Sequence, residues 1–298
     1  MRRCSISSSS LRRTPEPDLA IIRRAYAKQI MAAAGVPCER IAQAFASVPR
    51  EKFLGPGPWP VLRWGRGYEL TPGDDPVFLY TNDLIGIDPA RGLNNGQPSF
   101  HVALMARLDP QPGEHVVHIG AGTGYYSALL AELAGATGRV TAIEYDAGLA
   151  ALAARNLAGS NVEVAHADGT RADFAPADAI YVNAGVTHPL ARWLDRLREG
   201  GRLVVPMTAP RATRTATDPG WTGVVFLIRR RGAAYSARSI SQVAIFPCQG
   251  ARDRAAERAL ARALKTGGVE RVRRLVRHDR VPDERCWLKG DGWCLAYQ

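Results

Sequence analysis

The sequence predicts an α/β fold built on a doubly wound, mostly parallel sheet, and three observations carry that expectation. Beyond Pro112, short apolar runs alternate with stretches of helical period, at the spacing of βαβ units. A glycine-rich turn, GAGTG, joins the first of these strands to its helix. The next two strands end in carboxylates, Glu144 and Asp168, on the rim where open α/β sheets bind ligands.

In chain order, the first segment (1–17) reads as a basic, serine-rich disordered tail without the apolar stretch of a secretory signal. LAIIRRAYAKQIMAAAG repeats apolar residues at helical spacing from a cap at Asp18 to a stop at Gly35, and ERIAQAFASV makes a second helix ended by Pro49. Residues 55–73, rich in Gly, Pro and Trp, read as an ordered loop, and Pro98 to Leu108 as a further helix. HVVHIG, RVTAIEY, VEVAHA, DAIYVNA and RLVVPM are the strands. GYYSALLAELAG, GLAALAARNLAG and PLARWLDRLREGG are the helices between them. GVVFLIRRR and YSARSISQVAIFP are expected to close the sheet as an antiparallel pair. From 251 comes a basic helical stretch, then a hairpin, CWLKGDGWCLAY, turning at Gly290-Asp291. The expected organisation is thus a tail (1–17), a helical substrate segment (18–110), a Rossmann-like ligand-binding domain (111–250) and a basic helical extension with a terminal hairpin (251–298).

Bulk properties narrow the class. No run approaches the roughly eighteen apolar residues of a membrane helix. Five cysteines without a CxxC pair predict neither a zinc ribbon nor a disulfide framework, and favour a reducing, cytoplasmic setting. The histidines lack metal-ligand spacing. Of the net charge of +11, residues 1–30 hold seven Lys/Arg against two acids and residues 251–280 ten against four, so the remainder is balanced. Two basic ends on a neutral body suit a nucleic acid or an acidic peptide, or are simply solvated helix faces.

At the turn, Gly120, Gly122 and Gly124 let backbone N–H groups approach a ligand at a helix N-terminus. Glu144, twenty residues after Gly124, is placed to accept both ribose hydroxyls of an adenosine, and Asp168 to accept from its adenine amino group. The GxGxG spacing and the lack of a second glycine fingerprint disfavour a nicotinamide dinucleotide. Tyr125 and Tyr126 follow as walls of the site or as core, and Asn183, ending YVNAG, faces the reacting end or a turn.

Here the sequence resembles the class I S-adenosylmethionine-dependent methyltransferases, and more narrowly the protein-L-isoaspartate O-methyltransferase family. The resemblance lies in IAQAFASVPREKFL, GQPSFHVALMARL, PGEHVVHIGAGTGYYSALLAELAG, GRVTAIEYD, NVEVAHADG, FAPADAIYVNAG and LREGGRLVVPM, in family order over roughly residues 38–207. It implies an O-methyltransferase acting on a peptide or protein carboxylate. S-adenosyl-L-methionine would be held by Gly120, Gly122, Gly124, Glu144, and Asp168 with Gly169. Two departures stand out. The acid usual before the turn is His118 here. In GLNNGQPSFH, the hydroxyl residue usual two places before the proline is replaced by Gly96. Asn94, Asn95, Gln97, Ser99 or His101 would then have to supply the substrate's donor, unless the amides and Ser99 only cap the helix. No Pro-Pro-aromatic follows Asn183, which argues against nitrogen methylation. Two alternatives stay open: an RNA methyltransferase using the basic ends, and a non-catalytic S-adenosylmethionine-binding module. Oligomeric state is not readable.

Overall fold

The computed structural model describes residues 13–63, 65–211, 220–278 and 280–298. The expected disordered tail thus lies outside the described residues up to residue 12. At its described end Thr14 is tied down, its N–H and hydroxyl both donating to Asp75 (3.0 and 2.7 Å).

Helix α1 (Glu16–Ala34) starts two residues before the expected cap, behind Pro15, and stops at Gly35, whose φ of 62° closes the C-terminus. Helix α2 (Glu39–Ser47) packs on it. The stretch expected as a loop instead forms a small hairpin, β1 (Pro60–Arg63) with β2 (Gly67–Leu70). Strands β3 (Gly86–Asp88) and β4 (Leu93–Asn94) make a second one, leading into α3 (Pro98–Leu108). These elements are too short for periodicity to reveal.

The doubly wound body follows: β5 (His115–Ile119), α4 (Tyr125–Ala134), β6 (Arg139–Glu144), α5 (Ala147–Asn156), β7 (Val162–His166), β8 (Ala177–Val182), α6 (Ala191–Asp195) and β9 (Leu197–Pro210). The expected helix PLARWLDRLREGG ends at Asp195, and LREGG already belongs to β9. Two consecutive glycines cannot hold a helix against the sheet's hydrogen bonds. Long strands β10 (Trp221–Arg231) and β11 (Ala234–Val243) then pair antiparallel. Helix α7 (Arg254–Thr266), β12 (Arg274–Val276), β13 (Cys286–Gly290) and β14 (Trp293–Ala296) complete the chain. The terminal hairpin turns at Asp291-Gly292, one residue later than expected, because Gly290 pairs with Trp293. Cys286 and Cys294 are joined there as a disulfide. This local staple was not foreseen from the sequence; Cys38 and Cys248 are free.

The central sheet has ten strands in the order β13-β14-β12-β11-β10-β9-β8-β5-β6-β7. Strands β5 to β9 run parallel, and the rest form an antiparallel wing larger than the closing pair expected. Successive side chains alternate between two cores. Val116, Tyr181 and Val204 face α1–α4, while Val117, Ile119, Ile180 and Leu203 face the other side, with Trp193 and α7. Strand order reverses between β5 and β8, so a crevice opens at their C-terminal ends.

Candidate active site

The glycine turn sits at that crevice. Gly120, Gly122 and Gly124 all have positive φ (79°, 57° and 96°), which side chains rarely adopt. A Cβ on Gly120 would press on the carbonyl of Asn183 at 3.2 Å, and one on Gly124 on Leu157 at 2.7 Å. Gly122 faces open space, so its backbone can be approached. The turn delivers the chain into α4, whose N-terminal N–H groups are favourable to negative charge.

Glu144, buried at the end of β6, accepts from the N–H of Gly122 (2.7 Å) and of Asp146 (2.9 Å). Each carboxylate oxygen keeps a further lone pair. Asp168 spends one oxygen on the N–H and hydroxyl of Thr170 (2.9 and 2.7 Å) and leaves the other to a distant Arg171 Nε at 3.8 Å. Gly169 packs on Ile119, its carbonyl accepting from Trp193 Nε1 at 2.9 Å.

A segment that no local signal marks, 246–252, returns over this rim. Pro247 bridges to Gly185, and Phe246 lies against Gly92, where a Cβ would come within 2.9 Å of its ring. Gly250 has φ 78°, which side chains rarely adopt, and a Cβ there would stand 2.8 Å from the Asp168 carboxylate. Cys248, free and buried, has its thiol pushed up to about 12 by burial and then by Asp168, and so stays protonated at neutral pH.

Beneath the turn lies a polar cluster. His118 is fully buried. Its Nδ1 is 2.8 Å from Ser127 Oγ, its Nε2 has no partner among the described residues, and burial lowers it to about 3. His101 is 2% exposed and stacks on Tyr126 with ring centres 3.6 Å apart. Its Nδ1 lies 2.7 Å from Tyr181 Oη. Burial, then His118 and Arg50, push His101 well below the usual histidine range, so both rings are neutral at pH 7. Tyr125 is enclosed by Phe45 and Phe53 in the core, at 6.2 and 5.6 Å between ring centres.

A depressed histidine ties stability to pH. The unfolded His118 titrates near its ordinary 6.5, so its neutral burial counts fully above that pH and is lost as pH falls towards about 3. Between pH 6.5 and 5 this amounts to roughly 2 kcal/mol. His118→Asn is expected to flatten the pH dependence of denaturant unfolding over that range by about this much. Identical slopes for both proteins would refute it.

The stretch GLNNGQPSFH divides into holders and free groups. Asn94 Oδ1 accepts from Gly96 N–H at 2.9 Å, fixing a turn. Asn95 is buried, its Oδ1 accepting from Ile85 N–H and Arg50, both at 3.1 Å. Arg50, itself fully buried, also donates to the carbonyls of Leu79, Thr81 and Asp83 (2.6, 2.9 and 3.0 Å). Gln97 stands at the N-cap of α3 without a side-chain cap bond, and Asn82 Oδ1 accepts from Ser99 N–H at 2.8 Å instead. Gly96 has φ 70°, and a Cβ there would collide with His101 Nε2. The imidazole occupies the space that a side chain at 96 would need. The structure therefore gathers Gly120, Gly122, Glu144, Asp168 and Asn183 around one rim. Gly96 adjoins His101, and Tyr181, which holds His101, lies two residues before Asn183 on β8. Among the described residues no group of three or more His, Cys, Asp or Glu could hold a metal ion.

Residues 77–217 match the family model described as Protein-L-isoaspartate(D-aspartate) O-methyltransferase. A protein-L-isoaspartate O-methyltransferase of Pyrobaculum arsenaticum is 30% identical over 217 residues, 70% of this chain and 91% of the relative. Protein-L-isoaspartate O-methyltransferase 1 of Rhodopseudomonas palustris is 34% identical over 229 residues, 72% and 84%. Among solved structures, a protein-L-isoaspartate O-methyltransferase superposes with a TM-score of 0.56 at 24% identity, covering 81% of this chain and 69% of that one. A Plasmodium falciparum protein described as a complex with S-adenosyl-L-homocysteine gives 0.58 at 16% identity, covering 76% and 98%. At these identities the superpositions speak to the fold alone.

Proposed function

The chain belongs to the protein-L-isoaspartate O-methyltransferase family and is an S-adenosylmethionine-dependent O-methyltransferase, and on that premise we propose that it esterifies isoaspartyl carboxylates of peptides through a donor set of its own. The observation that carries the reading is the imidazole of His101 standing where a side chain at 96 would be.

The residues at the crevice fit the cofactor. Gly122 is open to approach, Glu144 and Asp168 retain acceptor capacity, and His118 is a neutral ring that does not repel a cation. Gly120, Gly124 and Gly169 would give close backbone contact. Tyr125 would back the turn through the core. When bound, S-adenosylmethionine supplies an electrophilic methyl group on a sulfonium.

The chain's own task is positional. A substrate carboxylate, with a pKa near about 4, is already ionised and needs no general base. Tyr181, kept protonated by burial, can donate to His101 Nδ1, which leaves the ring proton on Nε2. In that tautomer His101 presents one neutral N–H at Gly96. A neutral donor aims the carboxylate without quenching its charge, as an ion pair would. Gln97, Ser99 and Asn183 are the further side chains we assign to the substrate. Asn95 acts through Arg50, as a positioning residue.

The helical segment 18–110 as substrate side, 111–250 as cofactor side, and a cytoplasmic location belong to the same proposal. No helix among the described residues is long and apolar enough to cross a membrane.

The test uses methyl-labelled S-adenosylmethionine and two peptides differing only in an aspartyl or isoaspartyl linkage. Base-labile label on the isoaspartyl peptide alone is the expected result. Label on neither peptide, with cofactor still bound, would sink the substrate assignment.

A further inference from the structure

The antiparallel wing carries a second feature, unrelated to the crevice. Register aligns Arg202 of β9, Arg229 of β10, Ser236 of β11 and Arg274 of β12 in one row across the sheet. Residues directly opposite one another share a face. Arg231, two residues along β10, and Arg238, two along β11, lie on that same face. Arg202 is neutralised by Glu114 at 2.6 Å. The other four guanidiniums have no carboxylate within ion-pair distance among the described residues. Arg231, Arg238 and Arg274 are exposed and Arg229 is half-buried. Burial, then the neighbouring Arg202 and Arg238, lower the proton affinity of Arg229, and Arg231 adds to this, while Asp109 opposes it. Like charges crowded in this way are costly unless something anionic covers them.

We propose that this arginine face binds the phosphate backbone of single-stranded nucleic acid, as a docking surface and not as the methyl acceptor. Three observations favour that occupant. All four free cations are arginines, whose planar forks match phosphate oxygens. Arg229 and Arg231 are about 7 Å apart along their strand, comparable to consecutive phosphates of an extended chain. A protein partner would need an apolar anchor. The large exposed apolar side chains, Ile21, Leu70 and Tyr145, all lie off these strands.

The face is remote from the crevice. β9 runs parallel to β8 towards the rim, and Arg202 lies in its first half, while Arg229 and Arg231 are near the end of antiparallel β10. From Arg202 to Met207, which bridges to Val186 at the rim, is about 17 Å along the strand. Bound nucleic acid would leave the site free to work.

Fluorescence anisotropy of a labelled, mixed-sequence single-stranded RNA of about 20 nucleotides, across a salt series, tests this on the full chain. Four phosphate contacts predict a slope of log Kobs against log salt of about −3. Arg229→Gln with Arg238→Gln should make it shallower by about 1.4, and Arg231→Gln or Arg274→Gln alone by about 0.7. Arg258→Gln with Arg262→Gln, on exposed positions of α7, should leave it unchanged. Equal losses from the α7 pair would overturn the proposal, because net charge alone would then explain binding. Displacement of the RNA by polyglutamate at equal charge concentration would overturn it in favour of an acidic polypeptide. Methyl transfer should be unaffected by saturating RNA, and inhibition would overturn the remote placement.

Discussion

Gly96→Ser, which restores the hydroxyl usual at that place in the family, is expected to lower methyl transfer instead of raising it. Position 96 has φ 70°, which serine adopts at a cost, and its Cβ would collide with His101 Nε2. The ring cannot swing aside freely, because Tyr126 stacks on it and Tyr181 holds Nδ1. A serine therefore pushes the imidazole off its aim and gains no clear position for its own hydroxyl. The expected loss in kcat/KM on an isoaspartyl peptide is about 10²-fold, the scale for one well-aimed donor. His101→Ala should lose a similar amount while leaving the affinity for S-adenosylhomocysteine within about twofold. The informative variant is the double one. Removing the imidazole frees the space that the new hydroxyl needs, so Gly96→Ser combined with His101→Ala should recover at least about tenfold over either single change. Faster turnover by Gly96→Ser alone would reject the assignment of His101 as donor.

Arg50→Met should cost about 3–5 kcal/mol, more than any surface change in this protein. Its guanidinium satisfies the carbonyls of Leu79, Thr81 and Asp83 and the side chain of Asn95, four acceptors on two separate stretches of chain. Methionine fills similar volume but takes the Arg50 donor from all three carbonyls in the interior and leaves Asn95 Oδ1 with the N–H of Ile85 alone. A fall in Tm of roughly 10 °C is expected by calorimetry. Arg50→Lys should recover only part, since an ammonium cannot reach four acceptors spread around a planar fork. A loss below about 1 kcal/mol would refute this account. Activity should fall further than stability explains, because Asn95 also holds Ile85 and so the approach to Gly96.

The arrangement around the parallel strands was legible because it is local. Apolar alternation marks each strand, glycines mark the turn, and parallel order then carries Gly120, Glu144 and Asp168 to adjacent strand ends. What escaped depends on contacts distant in sequence. Nothing near Gly96 announces that the imidazole five residues on fills its space, because that follows from the turn geometry at Gly96 and the pitch of α3 together. Asn95 read as a substrate donor, and the sequence did not show that its Oδ1 accepts from Arg50, 45 residues away, while its buried Nδ2 has no partner among the described residues. The tail LREGG read as helix from its apolar period, whereas it opens β9, where Leu197 pairs with Ala177. The arginine row across the wing is invisible along the chain, since Arg202, Arg229 and Arg274 meet only through strand register.

The segment 246–252 that covers the rim has a consequence for timing. Asp168 meets Gly250, and Thr187 meets Ala251 and Asp253, across a gap of more than sixty residues. A ribosome making the chain at about 5–20 residues per second releases the parallel strands several seconds before this segment can leave the exit tunnel. The crevice is therefore unroofed throughout the interval in which its own parallel strands, β5 to β9, are assembling.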